Sequence, residues 1–175
     1  MSGETQNNTV GPIVSSAHLA SGALPALSEV EFAMTLAGNA FQRWIVRCMA
    51  AAGEAELGAL DVLVLHVVNH RGRAKKLADL CLMLNIEDTH TVAYALKKLE
   101  KRRLIRSTRA GKEKVVEITP PGEAVCARYR DIREACLVSG IVASGIEAQR
   151  LSEIAGLMRT LAGHYDQAAR AAASL

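Results

Sequence analysis

The amino-acid sequence predicts a mainly α-helical protein that contains one two-stranded β-hairpin. Half of the 175 residues (50%) are hydrophobic, with only 3% aromatic residues and four prolines, a composition that favours helix over sheet. Apolar residues recur at steps of three and four along most of the chain, which indicates helices with one buried face. One short stretch, residues 104–119, instead shows alternating strand-like segments around an Ala-Gly-Lys turn. A chain of this length buries a core without disulfides or metals.

The first part of the chain divides into a tail and two helices. Residues 1–27 mix Gly, Ser, Thr, Asn and Pro without periodicity, which predicts a flexible tail. Residues 28–175 are predicted to form a single domain. Its first helix is expected from Ser28, as the N-cap, to about Ala52. A second helix, from Leu57 to about His70, is apolar on nearly all sides and is predicted to be the central core helix.

Two further helices precede the hairpin. A third helix, over about residues 75–85, follows a basic Arg-Gly-Arg turn, and a fourth is expected over about 88–103 with Asp88 as its cap. The buried stripe of the fourth helix is predicted to consist of Val92, Ala95, Leu96 and Leu99. Its other face then carries Thr89, His90, Ala93, Tyr94, Lys97 and Lys101.

The hairpin is predicted to bury Val116 and Ile118 and to expose the basic residues at its tip. Thr119 is expected to cap the next helix, which runs to about Val138, and a last helix begins near Glu147. The first and last helices carry near-heptad apolar stripes that have little to cover within one small domain. We therefore expect residues 28–56 and 120–175 to form dimerisation helices, with packing inside one chain as the alternative.

Charge is concentrated in one segment of the chain. The whole protein carries a formal charge of only +3, but residues 71–114 hold thirteen Lys and Arg against five Asp and Glu, which leaves −5 elsewhere. Such segregation is typical of a protein that places one region on phosphates. An ordinary solvated surface is the alternative.

Three helices followed by a basic two-stranded hairpin are arranged in the order of a winged helix-turn-helix, and residues 77–125 resemble the DNA-binding core of the MarR family of bacterial transcription regulators. The similarity lies in Leu77-Ala78, Thr91-Val92, Leu99-Glu100-Lys101 with Leu104-Ile105, and Thr119 with Gly122. With the flanking helices it covers roughly residues 29–172. The chain departs from the family pattern in about four extra residues before Thr91, in Tyr94 where many members have arginine, and in a wing that reads Ala-Gly-Lys-Glu at its tip.

The resemblance implies a dimeric regulator that binds double-stranded DNA in a sequence-specific manner. Residues 57–119 would form the DNA-binding winged helix, with the recognition helix, about 88–103, in the major groove and the basic wing, 106–114, on the adjacent minor groove or backbone. Base-reading residues are predicted to be Thr89, His90, Ala93 and Tyr94. Backbone or wing contacts are predicted from Arg73, Lys75, Lys97, Lys98, Lys101, Arg106, Arg109, Lys112 and Lys114. A winged helix that serves as a protein-interaction module without sequence-specific DNA binding is the alternative function.

The resemblance also implies modulation by a small apolar or phenolic effector. It points to Trp44, Cys48 and His66 as an effector pocket, with core packing as the alternative role for each. His66 and His70 lie four residues apart on one helix, but no third ligand is evident, so we predict no metal site and no cofactor.

Other functions and compartments are disfavoured by simple patterns. Cys48, Cys81, Cys126 and Cys136 form no CxxC pair and are predicted to be buried hydrophobic residues, with redox sensing as the alternative. No phosphate loop, GxGxxG, HExxH or GxSxG motif is present, so we do not expect an enzyme. The polar start and the absence of a membrane-length apolar run predict a cytoplasmic protein.

Overall fold

The computed structural model describes residues 11–111 and 113–175, and it confirms the mainly helical class with one antiparallel hairpin. The α-helices are α1 Pro25–Ala51, α2 Ala59–Asn69, α3 Leu77–Leu84, α4 Thr89–Lys101, α5 Pro120–Arg133, α6 Ser139–Ala143 and α7 Ala148–Ala172. The strands are β1 Ile105–Ala110 and β2 Glu113–Ile118. Short 3-10 turns at Ala17–Ala20 and His70–Gly72 precede α1 and follow α2, and a π-helical turn, Glu134–Val138, joins α5 to α6. These residues form two compact units, one ending at Cys126 and one beginning at Ala127.

The start of α1 differs from the sequence prediction. The helix begins at Pro25, so Ser28 lies inside its first turn and is not the N-cap. Proline is well suited to the first turn, because the N–H it lacks would have no helical partner there. The Ser28 hydroxyl instead donates to the carbonyl oxygen of Leu19 at 2.6 Å, and it thereby ties the preceding 3-10 turn to the helix. Of the predicted tail, residues 1–10 lie outside the described residues.

The core of the first unit is built around α2, as predicted. Val62, Val64, Leu65 and Val68 on this helix are fully buried. Around them pack α1, α3, α4 and β2, which explains why the sequence of α2 is apolar on nearly all sides.

A third short extended segment, at Lys75, pairs with the hairpin, and the sequence did not predict it. In the register, Ile105 pairs with Ile118 and Ala110 with Glu113, while Lys75 pairs with Val116 through two backbone hydrogen bonds of 3.0 and 2.9 Å. Val115 and Val116 are both buried, whereas Ile118 is only half-buried. The predicted burial of Val116 is therefore confirmed, and that of Ile118 is corrected.

The corner between α4, β1 and α5 is closed around one backbone carbonyl, that of Leu104. It accepts from the backbone N–H of Thr119 at 3.1 Å, and the Thr119 hydroxyl lies 2.7 and 2.8 Å from the carbonyl oxygens of Arg103 and Leu104. Gly122 N–H donates to the Thr119 hydroxyl oxygen at 3.2 Å, which confirms Thr119 as the cap of α5. A Cβ on Gly122 would lie 2.1 Å from the Leu104 oxygen, so no other residue fits this corner without a shift.

The second unit exposes most of its apolar residues. No residue of α7 is buried, and its stripe leaves Leu151, Ile154 and Met158 more than two-fifths exposed. The predicted break between the last helices lies at Ser144–Glu147, with Gly145 at a φ of 75° and Gly140 inside α6. Within the described residues, no helix combines the length and hydropathy needed to cross a membrane.

We expect Gly122→Ala to lower the free energy of unfolding by about 2 to 4 kcal/mol, because the added methyl group overlaps a backbone carbonyl that cannot move freely. Gly140→Ala is the matched control, since nothing lies within 4 Å of its Cβ position and alanine favours helix. Urea denaturation of both variants measures the difference. Equal stability of the two variants would contradict the tight corner.

Candidate nucleic-acid interface

The first turn of α4 is fixed by Asp88, as predicted from the sequence. One Asp88 carboxylate oxygen accepts from the backbone N–H of His90 at 2.9 Å, and the Thr91 hydroxyl donates to the Asp88 carbonyl oxygen at 2.8 Å. These bonds satisfy helix N-terminal donors and hold the start of α4 in one conformation. The cap therefore determines which side chains leave the helix near its N-terminus.

One face of α4 is buried and the opposite face forms an exposed stripe. Val92, Ala95 and Leu99 are buried and Leu96 is half-buried, so the predicted buried stripe is confirmed. The opposite face, which we call the outer stripe, consists of His90, Tyr94, Lys97 and Lys101, all exposed and spaced by four, three and four residues. Of the other predicted base-reading residues, Thr89 is exposed beside this stripe and Ala93 is half-buried.

Lys98 on α4 and Arg102, which directly follows α4, are held by acidic residues of α2 and of the α1–α2 connection. Lys98 Nζ lies 2.7 Å from an Asp61 carboxylate oxygen, and that same oxygen accepts from the backbone N–H of Gly58 at 2.8 Å. Arg102 pairs with Glu54 and with Glu56, the latter at 2.6 Å, and hydrogen bonding to Glu54 raises the pKa of the guanidinium. Sequence reasoning missed these pairs, because the partners lie about forty residues apart along the chain.

Lys75, predicted to contact DNA, belongs to the fold instead. Its side chain is buried beneath the hairpin, and Nζ donates to the carbonyl oxygens of Val68, His70 and Arg73 at 3.1, 2.7 and 2.9 Å. Burial, with Arg73 nearby, lowers the pKa of the ammonium. Because three carbonyls replace its water shell and fasten the end of α2, Lys75 is not part of the candidate surface.

The wing separates into a neutral base and a cationic tip. Near the base, Arg106 lies opposite Glu117 in the register and pairs with its carboxylate at 3.0 Å. At the tip, Arg109 lies directly opposite Lys114, both exposed and neither ion-paired within the described part of the chain. Like charges directly opposite each other destabilise a strand pair. Lys112, also predicted as a wing contact, lies outside the described residues.

A further ion pair holds the wing against α3. Lys76, just before α3, pairs with Glu113 at the start of β2, and hydrogen bonding to this carboxylate raises the pKa of the Lys76 ammonium. Among the described residues, the predicted contacts that are exposed and without an ion pair are Arg73, Lys97, Lys101, Arg109 and Lys114. Among the predicted contacts, these five carry charge that no acidic residue of the described part of the chain neutralises.

Two cavities adjoin α4. The larger, about 530 Å³, is lined by Glu56, Tyr94, Lys97, Lys98, Lys101 and Arg102. A smaller apolar cleft of about 210 Å³ lies between α4 and the wing, with Lys97 and Lys114 among its lining residues. The outer stripe is therefore flanked by one concave, largely cationic surface and by one apolar cleft.

The residues predicted for an effector pocket lie on α1 and α2 and do not line these cavities. Cys48 is fully buried, while Trp44 and His66 are half-buried, and burial lowers the pKa of His66. Among the described residues, no group of three His, Cys, Asp or Glu side chains lies close enough to bind a metal ion. His66 and His70 therefore gain no third ligand there.

Three of the four cysteines are buried as predicted, but Cys136 is exposed in the π-helical turn, which corrects the prediction that it is buried. The extra residue of a π turn rotates later side chains away from the face that the spacing predicted. Burial, with a smaller contribution from Glu123, raises the pKa of the Cys126 thiol to about 11. Cys126 is therefore a poor nucleophile at neutral pH.

Comparisons with known proteins agree with this fold. Residues 57–122 match the family model of the winged helix DNA-binding domain. A MarR-family transcriptional regulator from Rhodococcus sp. RHA1 superposes with a TM-score of 0.63 at 15% identity, covering 77% of this chain and 92% of its own. The chain has the MarR fold, with a winged helix at residues 57–122. No curated protein is significantly similar in sequence.

Two other solved structures with the MarR fold carry ligands. FabT of Streptococcus pneumoniae, solved in complex with DNA, has a TM-score of 0.62 at 12% identity and covers 81% of this chain and 98% of its own. CouR of Rhodococcus jostii RHA1, bound to p-coumaroyl-CoA, has a TM-score of 0.61 at 14% identity and covers 76% and 91%. The MarR resemblance predicted from the sequence is thus confirmed in the fold.

We expect Asp61→Ala to lower the free energy of unfolding by about 2 to 3 kcal/mol, because it leaves the Gly58 N–H and the Lys98 ammonium without their shared acceptor. Asp79→Ala is the matched control. Its carboxylate accepts only from the exposed Lys76 N–H at 3.2 Å, so the expected loss is at most about 1 kcal/mol. Thermal and urea unfolding measure both variants, and equal losses would contradict the anchoring role of Asp61.

Proposed function

We propose that the protein is a dimeric transcription regulator that binds double-stranded DNA in a sequence-specific manner. In this proposal α4 enters the major groove and the wing contacts the adjacent minor groove or backbone. The observation that carries the proposal is the pairing of Arg109 with Lys114 across the tip of the wing.

The electrostatic repulsion between Arg109 and Lys114 is unfavourable in the isolated protein, and a polyanion close to both side chains would offset it. Cross-strand neighbours have Cβ atoms only about 5 Å apart, so two cations there repel each other unless an anion lies close to both. At the base of the same hairpin, Arg106 has an acidic partner, which shows that the strands accept neutral pairs where no external anion is required. A phosphate backbone supplies the missing negative charge at the tip.

The shape of α4 supports the same arrangement. Its thirteen residues extend about 20 Å, and a helix of this kind fits the major groove of B-DNA with its N-terminal half at the base edges. Thr89, His90, Ala93 and Tyr94 lie in that half, while Lys97 and Lys101 follow toward the C-terminus, where phosphates flank the groove. The solved DNA complex of FabT, which shares the fold, is consistent with this use of it.

Arg109→Ala and Lys97→Ala should each weaken binding by a similar factor on all DNA sequences. Each should also reduce the slope of log affinity against log salt concentration by about one, because each variant removes one phosphate contact. Arg130→Ala is the matched control, since this exposed arginine on α5 pairs with Asp131 and lies outside the winged helix. Titration of labelled duplexes at several salt concentrations measures the slopes. Wild-type binding that does not depend on salt would contradict the proposal.

The alternative function, an interaction module for an acidic protein partner, uses the same cationic surface. Selection from a random pool of duplexes distinguishes the two functions, since an interaction module would enrich no DNA sequence. We favour DNA because cations that lack ion pairs among the described residues accompany the outer stripe of a helix whose size fits the major groove. An acidic protein partner would not require this arrangement.

Dimerisation follows from apolar surface that the single chain leaves exposed. On α7, Ile154 and Met158 are more than two-fifths exposed, and on α1 Leu36 and Phe41 are at least half exposed. Helices with near-heptad stripes bury such residues against partner helices, and a symmetric pair of chains provides them. The winged helices of the two chains would then bind DNA half-sites that lie about one helical turn apart.

Met158→Glu should convert the dimer to a monomer, because it places a charge in the middle of the α7 stripe. Leu82→Glu is the matched control: Leu82 is even more exposed, at 82%, but lies on α3, outside the proposed dimer surface. Sedimentation equilibrium distinguishes the 18.7 kDa monomer from the dimer. A wild-type protein that sediments as a monomer would exclude this part of the proposal.

Effector modulation is the last part of the proposal and rests on the fold. CouR, which shares this fold, was solved with p-coumaroyl-CoA, a phenolic thioester. Trp44 is the only tryptophan of the chain and lies half-buried on α1, so its fluorescence reports a ligand that binds near it. A phenolic acid that quenches this fluorescence and also weakens DNA binding would support an effector site at Trp44, Cys48 and His66.

A further inference from the structure

We propose that Tyr94 selects the DNA site by contact between its aromatic ring and the C5-methyl group of thymine in the major groove. This inference rests on the proposed DNA-binding function and adds the chemical group that the recognition helix reads.

The position of Tyr94 is unusual for a large aromatic residue. Its side chain is 71% exposed in the middle of the outer stripe, with His90 one turn before it and Lys97 and Lys101 after it. An aromatic ring that is exposed to water at this position is stabilised when an apolar group covers it. Because α4 is fixed by its buried face and by Asp88, the Cα–Cβ bond of Tyr94 has a defined direction on the outer stripe.

The N-terminal half of α4 lacks the side chains that read bases through paired hydrogen bonds. Residues 89–96 contain no Arg, Lys, Asn or Gln, the residues that bind guanine or adenine in bidentate geometry. The Thr91 hydroxyl is already donating to the Asp88 carbonyl, and the Asp88 carboxylate is already accepting from His90 N–H. Hydrogen-bond readout from the first turn is therefore limited to Thr89 and His90, so that Tyr94 is the main remaining source of specificity.

The lysines of α4 explain how the ring is brought to base edges rather than to the backbone. Lys98 is held by Asp61, so it remains beside the α1–α2 connection. Lys97 and Lys101 are exposed without ion pairs within the described residues, so they are free to fix the helix on phosphates. Tyr94 lies one turn nearer the N-terminus than Lys97 and Lys98, toward the half of the helix that enters the groove.

Among the four bases, only thymine presents an apolar group in the major groove, its C5-methyl group. The pairing and donor pattern of uracil is identical without that methyl group. Replacement of thymine by deoxyuridine therefore removes the contact proposed for Tyr94 and changes no hydrogen bond.

The test uses the full-length protein and the duplex obtained by selection from a random pool. Each thymine of a half-site is replaced in turn by deoxyuridine, and the dissociation constant is measured for the wild type, Tyr94→Phe, Tyr94→Ala and Lys97→Ala. We expect at least one thymine position at which the wild type and Tyr94→Phe lose about three- to tenfold in affinity. Tyr94→Ala should bind the thymine duplex more weakly by a similar factor and should not distinguish it from the uracil duplex.

The other variants separate this inference from the function on which it rests. Lys97→Ala should bind every duplex more weakly but keep the preference for thymine. A wild type that binds the selected duplex in a salt-dependent manner yet never distinguishes thymine from uracil would overturn the inference and leave DNA binding in place. Loss of the preference in Tyr94→Phe would assign the specificity to the phenol hydroxyl and overturn the ring contact. Absence of selective duplex binding would remove the proposed function itself.

Discussion

The burial of one face of α4 against α2 is the constraint on which the rest of the interface depends. Val92, Ala95 and Leu99 are buried, and Val64, Leu65 and Val68 lie fully buried on α2. Burial of a large aliphatic side chain contributes roughly 1.5 to 3 kcal/mol, so a rotation of α4 that exposed this face would cost several such contributions. The rotation of the helix about its axis is therefore fixed, and the outer stripe follows from it.

Ion pairing then divides the cations into two groups. Lys98 and Arg102 connect the C-terminal part of α4 to acidic residues of α2 and of the α1–α2 connection, and Lys75 fastens the end of α2 through three carbonyls. Lys97, Lys101 and the Arg109–Lys114 pair are left exposed, without acidic partners in the described part of the chain. The net charge of residues 71–114 is larger than the charge available to a ligand, because some of these cations stabilise the fold. Of the predicted contacts that lack ion pairs among the described residues, all but Arg73 lie on the outer stripe of α4 or at the tip of the wing.

Features that depend on local periodicity could be predicted from the sequence. The Asp88 and Thr119 caps, the buried stripe of α4 and the hairpin all depend on residues within a few positions of each other. Features that depend on distant partners could not. The Asp61–Lys98 pair spans 37 residues, and the burial of Lys75 requires the edge of β2, so the sequence showed only charged residues in a basic segment. Ser28 was misassigned because Pro25 starts the helix one turn earlier.

The most direct test of the orientation of α4 on DNA is a photocrosslink from the outer stripe. A photoreactive phenylalanine derivative is placed at position 94 in one variant and at position 154, on the exposed face of α7, in another. We expect crosslinks from position 94 to bases of the selected duplex and none from position 154. Crosslinks from position 154 but not from position 94 would contradict the proposed interface, because the fixed orientation of α4 leaves Tyr94 no other role in DNA binding.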